Sequence, residues 1–107
     1  MTSRREKIEA MLADDPRDVF LRYSLAMELE KEARHEESLS QLAGLMSDSP
    51  PYVAAFFRSG QQLASLGRIA EARTALRDGI EQARAQGNSH AAGEMSEFLA
   101  NLGQLGD

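Results

Sequence analysis

The chain has 107 residues, room for one domain with a real core and too few for two independent ones. Its 12 Lys and Arg against 17 Asp and Glu leave a formal charge of -5, which excludes the basic stripe that nucleic acid or an anionic membrane surface requires. Cysteine is absent, so a disulfide framework and thiolate chemistry are excluded too.

The N-terminal stretch MTSRREKIEAML carries charges where a signal peptide needs its apolar run. No segment approaches the roughly 18 apolar residues of a membrane span. The expectation is a soluble, cytoplasmic protein.

Sustained alternation of apolar and polar residues is absent, and Ala, Leu, Glu, Arg, Gln and Met dominate the long segments, so the chain reads as all-α. A first helix is predicted over 3–13, with Ile8, Met11 and Leu12 on one face. It ends at DDPRD, where Asp15 can cap the next helix, Pro16 suits a first helical position and Asp18 complements the positive helix end. The second helix, 16–32, repeats apolar residues from Phe20 and Leu21 through Leu25 to Leu29, and the third, 35–47, from Leu39 through Leu42 to Leu45 and Met46. SDSPPY breaks the chain again, with Pro51 able to open a fourth helix over 51–66. Gly67 then marks a turn, a fifth helix runs over 69–85, and QGNS separates it from a sixth over 89–103.

The helices repeat with a period of 34 residues. Ile8, Leu42 and Leu76 stand 34 apart, as do Leu12, Met46 and Ile80, and the same offset pairs Pro16 with Pro50, Ala26 with Gly60, Leu29 with Leu63 and Ala33 with Gly67. A fixed period of this length, with two helices per unit, means stacked helix pairs.

With that period the chain resembles the tetratricopeptide repeat, whose signature runs W-x2-L-G-x2-Y, then A-x3-F, then P. Over residues 53–86 the slots hold Phe56, Ser59, Gly60, Leu63, Ala72 and Leu76, with Arg84 in place of the last proline. Over 19–52 they hold Arg22, Leu25, Ala26, Leu29, Ser38 and Leu42, closed by Pro50. Arg22 for the large aromatic and Ser59 for the leucine are the other departures.

The resemblance implies a right-handed α-α superhelix of antiparallel helix pairs, one domain over 1–107. Residues 1–16 would be a half-repeat, 19–52 and 53–86 two repeats, and 88–104 a capping helix. Gly60 and Ala72 would be the small residues where paired helices cross, Gly79 one that admits the following helix, and Gly67 the turn between helices.

Members of this family typically hold an extended or helical peptide in a concave groove lined by the first helices of successive repeats. Carried over by register, that role falls to Phe20, Tyr23, Ser24 and Met27, then Phe57, Arg58 and Gln61, then Ala91 and Met95. Aromatic and methionine side chains suit adaptable peptide contacts, and an arginine can fix a carboxylate or a carbonyl. Tyr23 and Met27 stand where a lysine–asparagine clamp for a C-terminal carboxylate would need polar groups, which argues against that subclass.

Nothing in the sequence assembles an active site. His35, beside Glu36 and Glu37, and His90 are isolated, so solvated or capping roles are expected of them, with no metal and no cofactor. Phosphate-binding glycine loops, HExxH and GxSxG are absent. The run Glu28, Glu30, Glu32, Glu36 and Glu37 reads as a solvated face. The expectation is a non-enzymatic module that binds a protein or peptide. The alternative is a homo-oligomer joined through its end faces, where Met95, Phe98, Leu99 and Leu102 give the last helix apolar surface.

Overall fold

The structure, a computed structural model, describes residues 2–105. Six α-helices and no strand occur among them: α1 (Arg4–Asp14), α2 (Val19–Lys31), α3 (His35–Met46), α4 (Val53–Ser65), α5 (Ile69–Ala85) and α6 (Ser89–Leu105). They fall into two compact units that divide between Tyr52 and Val53. In the first, α2 packs against both α1 and α3; in the second, α5 packs against both α4 and α6, and α4 also touches α6.

The helix starts follow from side-chain caps. Ser3 and Glu6 form a capping box on α1, the Ser3 hydroxyl accepting from the Glu6 backbone N–H and the Glu6 carboxylate from that of Ser3, each at 3.1 Å. At α2 the expected cap moves: Asp18, not Asp15, accepts from Leu21 N–H at 2.8 Å, and Asp15 instead ends α1. Pro16 and Arg17 form the turn between, closed by Asp18 N–H donating to Asp15 O at 3.2 Å. At α4 both prolines lie ahead of the helix, in a loop with a cis Ser49–Pro50 bond, and Tyr52 N–H ties that loop back to Leu45 O at 3.0 Å.

Three helix ends share one design. After α2, α4 and α5 a residue with positive φ reverses the chain: Ala33 (60°), Gly67 (77°) and Gly87 (76°). The N–H of the following residue donates to a carbonyl five residues back, Arg34 to Leu29 at 2.9 Å, Arg68 to Leu63 at 2.9 Å and Asn88 to Ala83 at 2.7 Å. These are Schellman motifs, which satisfy carbonyls that the helix leaves open. Ala33 and Gly67 are 34 residues apart, so the offset read in the sequence is also an offset of backbone geometry.

The core of the first unit gathers Ile8, Leu25 and Leu29, with Leu12 and Leu21 packed against them. Leu42, Leu45 and Ala26 are fully buried, and so is Ser38, whose hydroxyl donates to Ala26 O at 2.6 Å and so joins α3 to α2 without leaving a buried polar atom unsatisfied. In the second unit the corresponding pair is Gly60 and Ala72. A Cβ on Gly60 would stand 2.7 Å from Leu76 Cγ, so the α4 backbone rests directly on a core leucine of α5. Gly79 of α5 is tighter still: its Cβ would stand 2.5 Å from Phe56 Cβ in α4 and 2.6 Å from Met95 Sδ in α6. Close packing of this kind is where the small residues of the repeat are used.

Candidate functional site

The first surface to consider lies on α2. Phe20, Tyr23, Ser24 and Met27 follow one another at steps that place them on a single helix face. Phe20 is 73% exposed, more than any other large apolar residue described, and the other three are half-buried. The Tyr23 ring meets Tyr52 edge to face, centroids 5.5 Å apart at 73°, which holds it in place from the loop that follows α3. Arg22, in the slot where the resemblance calls for a large aromatic, lies over Gly44 of α3 and grips Asp48 with two bonds of 2.7 and 3.2 Å. That hydrogen bond, with the guanidinium charge behind it, holds the Asp48 carboxyl below its ordinary range.

The second surface lies on α4 and α6. Phe57, Arg58 and Gln61 of α4 and Ala91 of α6 are half-buried. Phe57 meets Phe98 edge to face, centroids 5.7 Å apart at 72°. Together with Glu94, Glu97 and Asn101 the two rings line an open recess of about 250 Å³. The four α6 residues fall at i, i+3, i+4 and i+7, so one stripe of that helix faces Phe57. Arg58, next to Phe57, does not line the recess, and its Nε is shut off from solvent.

One expected groove residue is a core residue. Met95 is 1% exposed, its sulfur seated over Gly79, so it has no surface to offer a partner. The register carried it over to the groove, but its face of α6 is the one turned to α5. Conversely, Tyr52, Glu94, Glu97 and Asn101 enter these surfaces without having been singled out, and Phe98 had been assigned to an end face. The spacing from Glu94 to Asn101 sets those residues on one helix face but does not say what that face meets; Tyr52, in a loop, gave no signal.

The acidic run is largely consumed within its own unit. Glu28 pairs with Arg4 at 2.8 Å and Lys31 at 3.3 Å, Glu32 with Arg5 at 2.9 Å and Arg34 at 3.7 Å, and Glu37 with Arg34 at 2.6 Å. Arg5 reaches Glu9 as well, at 2.7 Å. A recess of about 320 Å³ over Leu25 and Leu29 is rimmed by Glu9, Glu36 and Glu37, two of which are held by these arginines. His90 lies 3.3 Å from Glu94 with its side chain 88% exposed, and His35 opens α3. Among the described residues no group of three or more His, Asp or Glu could hold a metal ion, and no helix is long and apolar enough to cross a membrane.

The chain is similar to a protein of Bordetella parapertussis known from its solution structure: 28% of residues are identical, the TM-score is 0.81, and the match covers 97% of this chain and 90% of the other. No family model and no curated protein matches the chain.

Proposed function

We propose that this chain is a non-enzymatic protein–protein interaction module, a tetratricopeptide-like solenoid that holds a peptide or partner protein against the first helices of its repeats. The exposed aromatic face of α2 carries this reading. A phenylalanine 73% in water, on one face with Tyr23 and Met27, forgoes burial worth about 2 kcal/mol, and such a face gains that energy only when a partner covers it. The superhelix and its concave groove belong to this proposal and rest on the 34-residue register and the family resemblance.

The experiment is capture from a lysate of the native host, wild type beside a Tyr23→Glu, Phe57→Glu double variant, with circular dichroism as the control for folding. A partner held by the wild type and lost by a variant of unchanged helicity is the expected result. Equal capture by both would remove the two aromatic faces from the binding surface.

The alternative, an oligomer joined through the last helix, has less to build on. Met95 and Leu102 are buried, and Phe98 and Leu99 are half-buried. Light scattering at high protein concentration is expected to give the mass of one chain; a multiple of it would favour the oligomer.

A further inference from the structure

We propose that the recess between Phe57 and the α6 stripe takes a cationic side chain, an arginine or lysine presented by a peptide segment of the partner. This inference rests on the interaction-module reading and adds the chemistry that the module selects.

Three observations carry it. The first is the lining: two phenylalanines, two glutamates and an asparagine, with no basic residue among them. The lining is therefore partly aromatic, and its only charged groups are carboxylates. The second is the geometry of the rings. Phe57 and Phe98 meet edge to face rather than stacked, and both rings line the recess, where an aromatic ring can attract a cation. The third is the state of the carboxylates. Glu97 forms no ion pair among the described residues, and Glu94 has only the exposed His90, 3.3 Å away. Two other recesses differ on this point. The one over Leu25 and Leu29 has Glu9 and Glu37 already held by Arg5 and Arg34, and the one on α5 is lined by two arginines, Arg77 and Arg84, beside Ile80 and Glu81.

Arginine and lysine side chains suit such a place because their methylene stems lie on apolar surface while the charged head meets carboxylates. Asn101 adds an amide that can accept from a guanidinium or donate to a peptide carbonyl. A second copy of this chain is disfavoured as the occupant, since a net charge of -5 on each molecule opposes association.

The test uses short blocked peptides, identical except for arginine, citrulline or glutamate at one central position, titrated into the isotope-labelled chain and followed by amide chemical shifts. Citrulline keeps the shape of arginine and removes its charge. The arginine peptide is expected to move the amides of Phe57, Glu94, Glu97, Phe98 and Asn101, the citrulline peptide to bind roughly tenfold more weakly, and the glutamate peptide more weakly still. A Glu94→Gln, Glu97→Gln variant is expected to bring the arginine peptide down to the citrulline level. Equal binding of arginine and citrulline, shifts centred on other residues, or no binding of the arginine peptide would overturn the inference. The two levels separate cleanly. A captured partner that is lost in Tyr23→Glu, Phe57→Glu but indifferent to the glutamine variant leaves the module standing and removes the cation. An arginine peptide bound at α6, with capture unaffected by the aromatic substitutions, does the reverse.

Discussion

Ala33 and Gly67 occupy the same place in the 34-residue register and the same left-handed backbone region, yet only one of them is a glycine. An L-residue there is strained by roughly 1 kcal/mol or more, because its Cβ crowds the neighbouring carbonyl. Ala33→Gly is therefore expected to stabilise the chain by about 1 kcal/mol and Gly67→Ala to destabilise it by a similar amount, read from urea melts. Equal midpoints for the two variants and the wild type would contradict the strain. Gly79 makes the opposite demand, for space rather than for φ. A Cβ there meets the Met95 sulfur, which can move, and the Phe56 Cβ, which moves only with the α4 backbone. Gly79→Ala is expected to cost about 2 kcal/mol despite alanine's higher helix propensity, lowering the melting temperature by several degrees. The sequence register paired Ala33 with Gly67 but could not assign the strain, because alanine has no preference that announces positive φ. It misplaced Met95 for a related reason: a period of 3.6 identifies a face, and the neighbour of that face is a property of the fold.

The third and fifth helices begin alike, and neither has a side-chain cap: Arg34 and Arg68 stand at the cap positions without one. Instead each arginine follows a Schellman turn and reaches forward to a glutamate, Arg34 to Glu37 at 2.6 and 2.9 Å and Arg68 to Glu71 at 2.8 and 2.9 Å. These hydrogen bonds, first, and then the charge of the arginines hold both carboxyls below their ordinary range. A carboxyl of lowered pKa in the folded chain binds fewer protons than in the unfolded chain, so its contribution is complete above the ordinary range, near pH 4.3, and is lost as pH falls through the folded value. Melting temperatures followed from pH 7 down to about 3 are expected to fall less steeply in a Glu37→Gln, Glu71→Gln variant than in the wild type. Parallel acid limbs would contradict that assignment. At this scale the sequence was highly legible. The predicted third, fifth and sixth helices start at the observed residue; Gly67 precedes the fifth and the QGNS break the sixth. The starts of α2 and α4 lay later than expected because proline tolerates a turn as readily as a first helical position, and only the geometry of Asp18 and Tyr52 decides between them.

Across the whole chain, the period of 34 residues was the strongest signal, because it appears three times over in core leucines and isoleucines and again in the turns. A composition with neither a basic stripe nor a cluster of catalytic groups directed attention to surfaces rather than to a cleft. The aromatic part of the candidate site was partly legible, through Phe20, Tyr23 and Phe57. The acidic part was not: Glu94 and Glu97 look like any solvent-facing pair until Phe57 is found opposite their stripe. Whether the aromatic faces meet a partner is tested most directly by replacing Phe20, Phe57, Arg77 or Arg84, one at a time, with a photo-crosslinking phenylalanine analogue, and irradiating the chain in its host's lysate. Adducts at positions 20 and 57 and none at 77 and 84 are the result that an interaction module using these helices predicts; adducts confined to 77 and 84 would contradict it.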